Sequence, residues 1–287
     1  MKPNENAIAA IASLIVASTS FTAFADAITI GSGETYNASD LASVTALQTA
    51  TAITIYEGGI LEYSDSANEL VLSTPISGGG TIKTTTGKKM VVLGDNSNFL
   101  GDWQLASPVV VSNRHGLGCA DSMGVYFKTG ATGDTLKFGG EGLTNDVPLN
   151  IIDVGLTLKL RDADDFSGPF VQNGLITHKV SLGMQTHDMI LRGGIKETGA
   201  SLSFTMPNDK KLNQTSVRIE SMPVVEGAGH WGLNGNNDVV VHYYLDVPGG
   251  TTANFNFARA YVHCGAENGL FCKIGHGMSC RLTGDAA

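Results

Sequence analysis

A short pattern that returns along the chain constrains the fold more than any other feature of this sequence. Its fullest copy runs Gly80-Thr-Ile-Lys83-Thr-Thr-Thr-Gly87, continues through Val91-Val-Leu93, and ends Gly94-Asp-Asn96-Ser-Asn-Phe99-Leu-Gly101. Partial copies read Gly194-Ile195-Lys196-Glu-Thr-Gly199 and Phe271-Cys272-Lys273-Ile-Gly275-His-Gly277. Recurrence of this kind fixes an architecture before any residue is given a task, because repeated units bury their apolar faces against one another. A further match sets Val91, Leu93, Asp95, Phe99 and Gly101 against Leu158, Leu160, Asp162, Phe166 and Gly168, each 67 residues later. Coils of about 20–25 residues would make that offset three turns, so equivalent positions would stack. A β-sandwich supplies similar strand spacing but gives no reason for a Phe-x-Gly corner to recur at one offset.

Period-two alternation bounded by Gly, Asn, Asp or Ser agrees with this. Ile53/Ile55, Val91/Leu93, Leu136/Phe138, Leu158/Leu160, Leu202/Phe204 and Val239/Val241/Tyr243/Leu245 are examples, and such runs read as short strands between tight turns. No convincing helical spacing appears beyond residue 25. The expected fold is all-β: a right-handed, single-stranded parallel β-helix over residues 26–287, cut short at its C-terminal end.

Residues 1–25 read as a signal peptide. Lys2 precedes an apolar stretch, and Ala23-Phe24-Ala25 offers a small-x-small cleavage site. The expected location is exported: cell surface or extracellular, with outer-membrane association an open alternative. The chain carries 18 Lys and Arg against 27 Asp and Glu, a formal charge of −9. That balance argues against nucleic acid as a partner, which requires a basic footprint. In an oxidising compartment Cys119, Cys264, Cys272 and Cys280 have the option of disulfides. The repeat alignment instead puts Cys272 at the position of Ile82 and Ile195, as a small core hydrophobe.

Gly-x-Ile-x-Lys-x-x-Gly, a hydrophobic pair, and Gly-Asp-Asn-x-x-Phe-x-Gly together resemble the passenger-associated transport repeat of autotransporter proteins. On that resemblance Gly80, Lys83, Gly87, Phe99, Gly101, Phe166, Gly168, Lys196, Gly199, Lys273 and Gly277 are structural repeat positions. The resemblance implies a passenger β-helix carried out through an outer-membrane translocator, here a fragment without the C-terminal barrel. Lys88-Lys89 after Gly87 departs from the pattern and implies a longer turn.

Chemistry is sparse. The Gly80–Lys88 segment lacks phosphate-loop spacing, and the runs at Asp162 and at Gly139 miss the positions their calcium templates require. No metal and no cofactor is expected. Asp162, Asp164 and Asp165 beside Arg161 are the best acidic cluster for sugar chemistry, which needs two carboxyls at a set separation with one pKa raised. Consecutive aspartates are also ordinary turn residues. Trp231 and Tyr244 are the rings expected to stand exposed for ligand binding. The expected function is a non-catalytic, adhesin-like or structural surface passenger. Its partners would be a glycan, a cell-surface receptor or further copies of itself. The alternatives are a polysaccharide lyase or glycoside hydrolase on the same fold, and a stalk that serves as a spacer.

Overall fold

In a computed structural model of the protein, the described residues are 26–140, 143–161, 169–185 and 189–197, followed by a series of strand segments between 201 and 283. Residues 1–25, Asp162, Asp164, Asp165, Phe166, Gly168, Gly199 and Gly277 lie outside them.

The chain forms a parallel β-solenoid of about 7 turns. Each turn visits three faces. One face is a nine-stranded sheet that begins at Thr35–Ala38, Ile60–Tyr63, Thr81–Thr84, Asp102–Leu105 and Gly124–Phe127 and runs on to Val224–Val225. A second face stacks Leu70–Leu72, Met90–Val92, Val109–Val111 and Leu136–Phe138; a third starts with Ile28–Ile30, Ile53–Ile55 and Ile76–Gly78. Strands of three or four residues suffice because the ladder runs between turns, where every backbone group finds its partner one coil away.

Register stacks like on like. Leu61, Ile82, Trp103, Val125, Leu149, Ile176 and Ile195 pair in succession down the interior of the nine-stranded sheet. Each of these is 0% exposed; full burial of one such side chain contributes roughly 1.5–3 kcal/mol. The repeat alignment is upheld here, since Ile82 and Ile195 share this column. Lys83 and Lys196 share the adjacent outward one.

The corner ahead of this sheet is a column of glycines. Thr81 N donates to Gly59 O, and Asp102 N to Gly80 O, so Gly59, Gly80 and Gly101 lie directly above one another. A Cβ on Gly80 would sit 2.3 Å from Ile55 Cγ2, and one on Gly101 2.7 Å from the Phe99 ring. Phe99 itself is buried and meets Trp103 edge-on, centroids 6.1 Å apart. The Phe-x-Gly corner therefore combines an aromatic plug with the one residue small enough to pass beneath the preceding coil.

Buried amides tie the turns elsewhere. Asn96 accepts from Ile76 N (2.7 Å) and donates to Gly116 O (2.5 Å). Asn145 donates to Gln172 Oε1 (2.9 Å), whose own amide reaches Val147 O and Gly174 O. Burying such groups is tolerated because hydrogen-bond partners replace the water they lose.

Three details differ from the sequence reading. First, the chain is nearly all-β, as expected, but one helix, Leu41–Thr49, stands among the described residues. Asp40 caps it in a reciprocal capping box with Ser43. Only Val44 and Leu47 are buried in it, while Leu41 is exposed, so its apolar face is too narrow to give a helical signature. It packs on Leu70–Leu72, the edge strand of the second face, where Gln48 Nε2 also reaches Glu69 O.

Second, Val91 and Leu93 face outward, and Met90 and Val92 fill the interior. The 67-residue match therefore pairs an outward couple with the inward Leu158 and Leu160. The three-coil step survives this, since Val92 lies level with Val111 and Val111 with Phe138, whose N–H donates to Leu160 O. Strand parity does not survive it.

Third, the last repeat copy is not another parallel coil. Phe271–Ile274 runs antiparallel to Ala260–Cys264, and Met278–Thr283 antiparallel to Thr252–Phe257. Cys272 pairs with Val262, and Lys273 with Tyr261, so neither joins the Ile82 or Lys83 column.

Candidate functional site

Outward positions of the nine-stranded sheet form a polar row, one residue per coil. Asn37, Glu62, Lys83, Gln104, Tyr126, Asn150, Thr177 and Lys196 follow one another in register, about 4.8 Å apart. Neighbours in the row and beside it are bonded. Lys83 Nζ lies 3.3 Å from Glu62 Oε2. Asp102 accepts from Thr81 Oγ1 at 2.6 Å and from Gln104 Nε2 at 2.9 Å. Lys128 Nζ stands 5.7 Å from the centre of the Tyr126 ring and 2.7 Å from Asp153 Oδ2.

The sequence's loop lengths cut a notch beside this row. On leaving the nine-stranded sheet, one coil turns through residues 85–89, the next through only 106–108, and the next through 128–135. A three-residue turn between a five-residue and an eight-residue one leaves a transverse gap one coil wide. Its volume is about 670 Å³. Ala106, Ser107 and Pro108 form the floor. Thr85, Thr86 and Gly87 stand on one wall, Lys128, Thr129 and Gly130 on the other, with Lys83 and Asp153 at the rim.

Local packing fixes these walls. A Cβ on Gly87 would fall 2.7 Å from Tyr63 Cε1, so glycine lets that turn fold down over the ring. Tyr63 is fully buried and donates its hydroxyl to Asn68 O; burial pushes its pKa up to about 12. Gly130 turns at φ +102° against Ala106. Ala106 itself faces outward and half-buried, whereas Ser107 turns inward and Pro108 stands exposed.

Two further polar clusters lie on the corners. Asp146 receives Arg114 Nε at 3.2 Å and Asn173 Nδ2 at 2.6 Å, with His115 Nδ1 at 3.9 Å. Asp134 holds Lys159 at 3.2 Å and Lys137 at 3.3 Å. Burial pushes the Asp134 carboxyl upward, but the hydrogen bonds from Lys159 and Lys137 prevail and hold it below the usual range. Every described carboxyl with a displaced pKa is displaced the same way: Asp40 and Asp95 by bonds from Ser43 and Ser97, Asp65 by bonds from Asn68 and Ala67. These are structural anions fixed by donors, the reverse of what a general acid needs.

Of the residues singled out from sequence, Lys83 and Lys196 share one outward column and Gly80 and Gly101 one corner, Phe99 is buried against Trp103, and Lys83 and Gly87 lie at the notch. Trp231 pairs with Leu202 and Phe255, and Tyr244 with His263, which puts their strands in two different sheets. Cys119 is half-buried and free, its N–H bonded by Ser122 Oγ. Sequence reasoning missed Tyr126, Lys128, Pro108 and Asp153. Their common signal is the unequal turn lengths, which become readable only once strand register is known.

No family model, curated protein or solved structure matches this chain.

Proposed function

We propose that this chain is an exported, non-catalytic surface β-solenoid, adhesin-like or structural, of the autotransporter-passenger kind. The observation that carries the reading is the outward polar row from Asn37 to Lys196, one side chain per coil in continuous register. A rigid, periodic face suits an extended partner held by many weak contacts, because the cost of ordering it was met when the solenoid folded. Glu62 in the row and Asp153 near it are each paired with a lysine, and Asp102 beside it takes bonds from Thr81 and Gln104, which suits holding a partner better than protonating one.

The test has two parts. The full chain expressed in a Gram-negative host should leave the cytoplasm, and removal of residues 1–25 should retain it there; joined to an outer-membrane translocator barrel, it should become protease-accessible at the cell surface. Purified protein should bind cells or immobilised glycans without releasing product. Reducing-sugar or unsaturated-uronate release that disappears in Asp162→Ala or Asp164→Ala would establish the enzyme instead.

A further inference from the structure

From the notch at 106–108 we infer a binding site for one segment of an extended, uncharged saccharide chain. The inference rests on the adhesin-like reading above and names its ligand class. Neighbouring strands lie about 4.8 Å apart, so walls two coils apart stand roughly 10 Å from each other. That admits a single extended polymer strand and no folded partner. The floor is the Ala106 methyl and the exposed Pro108 ring, an apolar surface of the size that the C–H face of a pyranose covers. The rim supplies both halves of a diol's requirements. Lys128 Nζ donates and Asp153 accepts, held 2.7 Å apart, the spacing of groups that bond adjacent hydroxyls on one ring. Threonines on the facing walls add neutral donors and acceptors. An apolar floor with polar groups placed on the walls and rim is the arrangement of a ligand site.

Charge points to a neutral sugar. Lys83 and Lys128 already have carboxylate partners in Glu62 and Asp153, so the rim has no cation left over for a uronate or a sulfate. Next to the notch the Tyr126 ring, with Lys128 over it, offers the next unit of the same chain a stacking surface. The polar row then extends along the coils for longer polymers.

The experiment uses the full chain on an array of neutral glucan, galactan and mannan oligomers together with oligogalacturonates. Wild type should bind one or more neutral oligomers. Ala106→Trp, which fills the notch from an outward position, and Asp153→Ala should each weaken that binding at least tenfold, and Asp121→Asn, remote and exposed, should not. Unchanged circular dichroism and melting keep a folding failure from counting. Neutral-oligomer binding that persists in Ala106→Trp overturns the notch but leaves surface adhesion standing. Binding to oligogalacturonates alone overturns the uncharged class. A chain that attaches to cells yet binds no array member overturns the saccharide. A chain that attaches to neither removes the adhesin-like reading as well.

Discussion

Gly101 lies so close under the preceding coil that a Cβ on it would sit 1.8 Å from the carbonyl oxygen of Gly80. Neither backbone has room to shift, since Asp102 N donates to that same carbonyl at 3.2 Å. Gly101→Ala should therefore cost more than about 3 kcal/mol, the range reserved for backbone conflict in a packed interior. Gly79, one residue from the column, has nothing within 4 Å of its would-be Cβ. Gly79→Ala should stay within roughly 0.5 kcal/mol of wild type. Thermal melts of the two variants test this, and equal melting temperatures would sink the glycine column as a steric requirement.

Asn96 bridges two coils through its side chain, accepting from Ile76 N and donating to Gly116 O. Asn96→Ala leaves a buried donor and a buried acceptor without partners, at about 1–3 kcal/mol for each. Asn96→Leu keeps the branched shape, with somewhat bulkier tips, but loses the same bonds, so it should be no better tolerated than alanine. If leucine restores the wild-type melting temperature, the position is one of packing and the amide bridge is incidental.

The architecture was legible because stacking repeats itself in the letters: Ile82 and Ile195 fall in one column, as do Lys83 and Lys196. Parity was not legible where a strand is apolar on both faces. Met90-Val-Val-Leu93 offers no polar residue to mark the outside, so period-two reasoning had two equal solutions. The helix at Leu41–Thr49 stayed hidden because two buried residues, Val44 and Leu47, make a face too narrow for 3.6-residue periodicity to stand out. The notch was hidden for another reason: it arises from differences between turns, and recurrence reports only what turns share.

A matched pair of substitutions tests the parity. Val92 is buried, while Val91 lies on the outer surface between Val71 and Val110. Val92→Thr places a hydroxyl in the core and should cost about 1–3 kcal/mol. Val91→Thr should cost no more than roughly 0.5 kcal/mol. The opposite ranking in denaturant or thermal unfolding would show that this strand is turned over.

Acid should weaken the solenoid in two windows. Burial holds the His178 imidazole below its ordinary pKa, against the opposing bond from its Nδ1–H to Val180 O at 3.2 Å. The unfolded chain therefore binds that proton first. Stability is full above about pH 6.5 and falls as pH drops from there toward the lower folded value. Asp65 belongs to a lower window. Bonds from the Asn68 amide and from Ala67 N hold its carboxylate below the usual range, so its contribution is present above about pH 4 and is lost as pH falls through and below that value. Melting temperature should be flat from pH 8 to 7, decline below about 6.5, and steepen below about 4. His178→Gln should flatten the first decline and Asp65→Asn should shrink the second, whatever either does to the plateau. A first decline unchanged in His178→Gln would assign that window to another group.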